Sequence, residues 1–114
     1  QQLGTGVDDW ATGITSDANG ALYVVGATQG PLDGGSNNSA TQLFVLRLDP
    51  GGTVRWVFQE GAQPFGYDLA ETVAADSAGN VFAAGITNGG LDGNPNAGDY
   101  DAFVVKVQAD GTPR

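Results

Sequence analysis

The segment Asp92-Gly93-Asn94-Pro95-Asn96-Ala97-Gly98-Asp99-Tyr100-Asp101 concentrates hard oxygen donors. Asp92, Asn94 and Asn96 offer side-chain oxygens at alternate positions, and Asp99 and Asp101 add two carboxylates. Donors of that type and density suit a hard cation such as Ca2+. The segment is not an EF-hand loop. Ala97 occupies the turn position that wants Gly, and no bidentate Glu follows at the required spacing. The alternative is an Asx-rich loop whose side chains hydrogen-bond its own backbone. The matching stretch upstream keeps Asp33 and Asn37 but lacks the later acids, so two equal sites are not expected.

A second group of residues suits recognition. Phe65, Tyr67 and Tyr100 stand near Asp68, Asp33 and Asn37 in polar connections, and aromatics beside Asp and Asn are what sugar or peptide binding uses. The alternative for the aromatics is packing between neighbouring units. Asp9, Asp68 and Glu71 are acids that could serve acid–base chemistry, but nothing in the sequence fixes their separation. Asp17 and Asp76 recur in tight turns, where capping the turn accounts for them. There is no His and no Cys. The usual general base and the thiolate nucleophile are missing, and no Ser or Thr has a familiar activator. The chain is therefore expected not to be an enzyme, with glycoside hydrolysis as the weak residual alternative.

Composition narrows the partners. Among 114 residues, 13 are Asp or Glu and 4 are Lys or Arg, a net charge of -9. Such a surface repels phosphate backbones and anionic lipid, so nucleic-acid binding is not expected. No apolar run approaches the roughly 20 residues of a membrane-spanning helix, so membrane insertion is not expected either.

The elements that must position these residues are written twice. Asp9–Arg55 slides onto Asp68–Arg114 with a constant shift of 59 and no gap, and about a third of the paired positions are identical. D-x-A-x-x-x-x-x-D-x-x-G recurs at Asp9–Gly20 and Asp68–Gly79, and G-x-T-x-G-x-L-D-G at Gly26–Gly34 and Gly85–Gly93. A repeat of this length marks a supersecondary unit that buries its faces against its neighbours. Each unit reads as short strands. The first is Thr12–Ser16 and Glu71–Ala75, of small residues that suit a crowded inner position. The second is Ala21–Thr28 and Val81–Thr87, apolar on both faces. The third is Leu43–Asp49 and Ala102–Gln108, with Phe44, Leu46 and Leu48 alternating against Val45 and Arg47. The fourth, Val54–Gln59, is expected to point Val54, Trp56 and Phe58 inward and to be an outer, solvated strand. Gly26 and Gly85 predict a bend or a close approach of another backbone. Trp10 is expected to pack between units. Tight turns follow strands one and three, and long loops follow strands two and four. In an up-and-down meander the long loops then gather at one end, the expected binding face.

A four-stranded unit of this size resembles a β-propeller blade. The pattern D-x-A-x-x-V-A-A-D-S-A-G-N-V-F-A-A-G-x-T-x-G-x-L-D-G at Asp68–Gly93, G-D-Y-D-A-F-V-V-K-V at Gly98–Val107 and G-T-x-x-W-x-x-Q-x-G at Gly52–Gly61 is similar to the bacterial beta-propeller repeat family abbreviated SBBP. The first unit departs from it at Asn38-Ser39-Ala40-Thr41-Gln42, where the family has an acidic G-x-x-D stretch. The resemblance implies an all-β fold of two four-stranded antiparallel blades. It implies a first repeat over 1–58, with a strand remnant at 1–4, and a second over 59–114 that is incomplete in its outer strand. It also implies a secreted, periplasmic or cell-surface bacterial protein with no common activity. Low Lys and abundant Gly, Asn, Asp and Thr agree with that location. The expected role is a non-catalytic structural or protein-interaction module, with carbohydrate or peptide binding on the long-loop face as the alternative. The expected partners are further blades or subunits: copies completing a ring, the remainder of a longer propeller, or a head-to-tail fibre.

Overall fold

In the computed structural model, which describes residues 1–35, 40–62 and 66–113, every regular element is a β-strand. β1 (Asp9–Ser16), β2 (Leu22–Thr28), β3 (Gln42–Leu48) and β4 (Val54–Glu60) form one antiparallel sheet in chain order. β5 (Asp68–Ala75), β6 (Val81–Thr87) and β7 (Asp101–Val107) form a second, three-stranded sheet. Neither sheet closes on itself. The internal repeat is a repeat of the meander, with β1 to β3 matching β5 to β7 strand for strand. β1 and β5 begin earlier than the sequence suggests, because pairing continues through Trp10↔Ala27 and Leu69↔Ile86 on the far side of a bulge. Trp10 is half-buried at that start.

The two bulges fall at the same place in each unit, between Ala11 and Gly13 and between Ala70 and Thr72. Each bends the first strand of its sheet. The residue opposite on the neighbouring strand has no side chain. A Cβ on Gly26 would lie 2.0 Å from the Trp10 carbonyl oxygen, and one on Gly85 would lie 1.8 Å from that of Leu69. The close backbone approach expected at these glycines is what the structure contains.

Turns are closed by carboxylates. Asp17 Oδ1 accepts the N–H groups of Asn19 (2.8 Å) and Ala21 (3.1 Å), and Asp76 Oδ1 accepts those of Ala78 and Asn80 at 2.9 Å. Gly20 and Gly79 then take φ of 83°, which a side chain would strain. The capping role expected of Asp17 and Asp76 is the one they have.

The sheets stack face to face. Tyr23, Val25, Leu43, Val45 and Phe58 of the first sheet pack on Val81, Ala83 and Val107 of the second, with Phe103 and Val105 closing the sides. Fully burying each of these aliphatic or aromatic side chains contributes about 1.5–3 kcal/mol. The closest approach is between the small-residue strands β1 and β5. Thr12 Oγ1 donates to the Ala70 carbonyl, and a Cβ on Gly13 would already lie 3.4 Å from the Glu71 carbonyl oxygen. The opposite face of the first sheet carries a second cluster, Phe44, Leu46 and Leu48, with Leu22, Val24 and Val57 around it.

β4 is an edge strand, but its pattern differs from expectation. Val54 does not share a face with Trp56 and Phe58. A register shift pairs Arg47 with Trp56 and Leu48 with Val54, which turns Val54 onto the Phe44 cluster. Gln59 is not left to solvent. Its amide donates to Gly30 O (2.9 Å) and Gln42 Oε1 (2.5 Å), and its Oε1 accepts from Leu32 N–H (2.9 Å), tying the β2–β3 connection to the edge.

Candidate functional site

The long connections gather at one end, as a meander requires. Thr41 N–H donates to Gly66 O (3.1 Å), Asp68 N–H to Thr41 O (3.1 Å) and Asn88 N–H to Tyr67 O (3.2 Å). These bonds bring Tyr67, Asp68 and Tyr100 together. The rings of Tyr67 and Tyr100 meet edge to face, centroids 6.4 Å apart at 88°. Asp33 is anchored elsewhere: its Oδ1 caps Gly35 N–H (2.8 Å) and its own N–H faces Gln59 Oε1 (3.4 Å). Phe65 and Asn37 lie outside the described residues.

In the oxygen-rich loop Asp101 and the amides of Asn94 and Asn96 turn to nearby backbone, while the buried Asn96 Oδ1 has no hydrogen-bond partner among the described residues. Asp101 Oδ2 accepts Ala97 N–H (2.6 Å). The Asn96 amide donates to Asn88 O (3.2 Å) and to Gly98 O, and the Asn94 amide to Leu91 O (3.2 Å). Asp92 has a φ of 49° in the turn that carries Gly93, and Asp99 is exposed. Among the described residues no three Asp or Glu side chains gather into a group that could hold an ion.

A cleft of about 510 Å³ lies between the end of β4 and the outer edge of β7. Leu43, Phe58, Leu91, Phe103 and Val105 make its apolar floor, and Glu60, Asp92 and Asp101 its acidic rim. β7 is paired along its length with β6. On its outer side the described residues supply a single bridge, Val107 to Pro113. The matching strand β3 is paired on that side with β4 from Leu43 to Leu48. An apolar trough therefore runs beside unpaired strand edge, which is the geometry that accepts an added β-strand.

The electrostatics of this end are set by burial of acids. Asp68 is fully buried; its Oδ2 accepts Ala62 N–H (2.6 Å), while its Oδ1 has no hydrogen-bond partner among the described residues. The Thr87 hydroxyl beside it donates to Gly89 O (3.0 Å). Burial pushes the Asp68 carboxyl above the usual carboxylate range. Burial likewise pushes Glu60 up, and the negative charges of Asp92 and Asp68 add to it. In the first unit the matching acid Asp9 has richer company. Burial raises it too, but Thr28 Oγ1 at 2.5 Å and the Thr5 N–H and hydroxyl outweigh that and hold it below the ordinary value.

Two opposed linkages follow. Asp68 and Glu60 bind a proton more tightly folded than unfolded, so their contribution is fullest in acid. It is lost as pH rises from the ordinary carboxylate range through their raised folded values. Asp9 and the turn acids Asp49, Asp76 and Asp110 sit below the ordinary value. Their contribution is present above it and is lost as pH falls through their lowered values. Stability is therefore expected to rise as pH is lowered from 7 toward about 5 and to fall in stronger acid. Asp68→Asn keeps an acceptor for Ala62 N–H and removes the buried charge. Its melting curve is expected to show added stability at pH 7 that disappears as pH falls to the ordinary carboxylate range. An unchanged pH profile in this variant counts against the assignment.

Sequence reasoning found Tyr67, Asp68, Tyr100, Asp92 and Asp101 at this end and missed Glu60, Phe58 and the β7 edge as parts of one cleft. No sequence signal places Glu60 or Phe58 beside β7, because they arrive from the other sheet. A scan against protein-family models returns no match for this chain, and a search of curated proteins returns none.

Proposed function

We propose that the chain is a non-catalytic structural and protein-interaction module of β-propeller-type blades, belonging to a secreted, periplasmic or cell-surface protein. The resemblance to the SBBP repeats supports the blade reading, and so does the stacking of repeated meanders with their small-residue strands innermost. The single observation that carries the interaction role is the open outer edge of β7 beside the apolar cleft. Its partner is an extended segment with large apolar side chains at alternate positions. Main-chain hydrogen bonds to β7 give affinity, and the floor of Leu43, Phe58 and Phe103 selects the side chains.

β4 shows what such a segment looks like. A synthetic peptide with the sequence of Gly52–Gly61 is expected to bind and to slow hydrogen exchange along β7. At a hundredfold excess over its Kd it stabilises the fold by about 2.7 kcal/mol. The same peptide N-methylated at its bonding amides is expected to bind far more weakly. Equal binding by both forms, or no protection of β7, overturns the strand-addition reading.

A further inference from the structure

Each sheet has a forward face and a rear face, and the repeat fixes which residues lie on each. Forward are Tyr23, Val25, Leu43 and Val45 in the first sheet, and their counterparts Phe82, Ala84, Ala102 and Val104 in the second. Rear are Leu22, Val24, Leu46 and Leu48, with counterparts Val81, Ala83, Val105 and Val107. The buried joint inside the molecule is forward face of the first sheet on rear face of the second. The forward face of the second sheet is bare at Val104 and Phe82, whereas on the rear face of the first Phe44, Leu46 and Leu48 are buried among Leu22, Val24, Leu32, Val54 and Val57, with an apolar cavity beside them. These two faces are the repeat-equivalents of the two surfaces that already pack together.

The same position is buried in one unit and bare in the other. Val45 is 0% exposed and its counterpart Val104 is 74% exposed. Val73 packs against the inter-sheet core, while its counterpart Ile14 is 64% exposed. An apolar cavity of about 210 Å³ lies open on the rear face, lined by Leu3, Val24, Leu32, Phe44, Leu46 and Leu48. The exposed Val104 on the forward face and the apolar cavity on the rear face are the two halves of a heterologous contact.

Side-chain size is exchanged between the two joints at several positions. Relative to the buried joint, the open forward face loses two carbons at Val25/Ala84 and three at Leu43/Ala102. The open rear face gains two at Ala83/Val24 and one each at Val81/Leu22, Val105/Leu46 and Val107/Leu48. Large-on-small inside becomes small-on-large outside at these positions, while Ala27/Ile86 adds three carbons to the forward face and Val73/Ile14 one to the rear.

We propose that a second copy of this chain docks head to tail, its open rear face on the open forward face, with Val104 and Phe82 entering the cavity beside Val24 and Leu46. The proposal rests on reading the two sheets as equivalent blades, and it names the partner of their outer faces. The contact repeats the intramolecular joint without Trp56 and Phe58, so it is weaker than that joint. The net charge of -9 on each copy opposes it, so added salt strengthens it. The polarity of the contact means that every copy uses one face of each kind, and assembly continues to a ring or a chain.

Ile14→Glu and Val104→Glu each place a carboxylate on one open face. Both side chains are exposed in the single molecule, so melting temperatures at low concentration are expected to match the unsubstituted chain. Light scattering over a dilution series is expected to show the unsubstituted chain associating reversibly, more strongly in high salt. Each variant alone weakens association about a hundredfold or more, because docking would bury an unpaired charge. A mixture of the two variants is expected to form a stoichiometric heterodimer, since each retains the face the other has lost. An unsubstituted chain that stays monomeric at millimolar concentration overturns the proposal. So does association abolished by Val104→Glu and untouched by Ile14→Glu, which is the signature of a two-fold contact. The Gly52–Gly61 peptide is titrated against Ile14→Glu in the same series. If the peptide binds but the chain does not self-associate, head-to-tail docking fails and the strand-edge reading stands.

Discussion

Gly85→Ala is expected to unfold the second sheet. The added methyl would sit 1.8 Å from the Leu69 carbonyl oxygen, 2.8 Å from its carbonyl carbon and 2.9 Å from Ala70 Cα. All three atoms are backbone, so no rotamer change relieves the overlap. Relief requires β5 to leave β6 at the bulge between Ala70 and Thr72, beside the Ala70 carbonyl that accepts from Thr12 of the first sheet. The cost is expected to exceed about 4 kcal/mol, a large part of the 5–15 kcal/mol that holds a domain of this size. Gly26→Ala repeats the collision in the first unit, at 2.0 Å from the Trp10 carbonyl oxygen. Gly6→Ala is the control, because no atom lies within 4 Å of its added methyl. Thermal and urea melts followed by circular dichroism are expected to show little or no folded Gly85→Ala and an unchanged Gly6→Ala. A Gly85→Ala variant that melts within about 1 kcal/mol of the parent would mean that the bulge is not the tight point of the fold.

Those two glycines are also where the sequence spoke most clearly about the fold. Their recurrence at one repeat interval, after a strand apolar on both faces, pointed to a backbone crossing that exists. The alternation in β3 and β7 was equally plain, since period-two patterns survive wherever pairing is regular. What pattern alone could not supply was the bulges. Val54 was misplaced because a register shift at Arg47 and Leu48 changes which face follows. The early starts of β1 and β5 were hidden because pairing resumes beyond an extra residue. The candidate site was half legible. Tyr67, Asp68 and Asp101 announce themselves by type, and meander topology brings the long loops together. The loop of Asp92 to Asp101 was ambiguous for a chemical reason: an oxygen-rich segment can turn its side chains to an ion or to its own amides, and spacing does not choose. Glu60 escaped notice because its elevated carboxyl comes first from burial and then from Asp92 and Asp68, which arrive from the β6–β7 connection and from β5. The cleft and the open faces came from comparing the units with each other in space, Val45 against Val104 and Val73 against Ile14.

Trp56→Ala tests the joint between the sheets from its outer rim. Trp56 is the first-sheet residue that reaches furthest over the second unit's last turn. Its indole N–H donates to Ala109 O (3.1 Å), and a Cβ on Gly111 would lie 2.8 Å from the ring. Its other side meets the Tyr23 ring, centroids 6.3 Å apart and tilted by 46°. Tyr23 in turn is fully buried and donates to Asp17 Oδ2 (3.0 Å). Removing the indole leaves a cavity between Tyr23 and the Gln108–Thr112 turn and strips Ala109 of its donor. The expected loss is about 3 kcal/mol, the lower end for a large aromatic because the ring is only partly buried. That corresponds to a fall in Tm of roughly 10 °C. Trp56→Phe keeps most of the apolar contact and loses the hydrogen bond, so about 1–1.5 kcal/mol is expected. The comparison reaches beyond this residue. The open faces of the molecule match the buried joint in apolar side chains but have no Trp56, so Trp56→Ala makes the inner joint resemble the contact that a second copy would form. A loss near 3 kcal/mol would make the proposed contact between copies weaker than the inner joint by about that much. A loss under about 1 kcal/mol would mean that the sheet faces alone hold the joint, and the contact between copies should then be nearly as strong as the one within them.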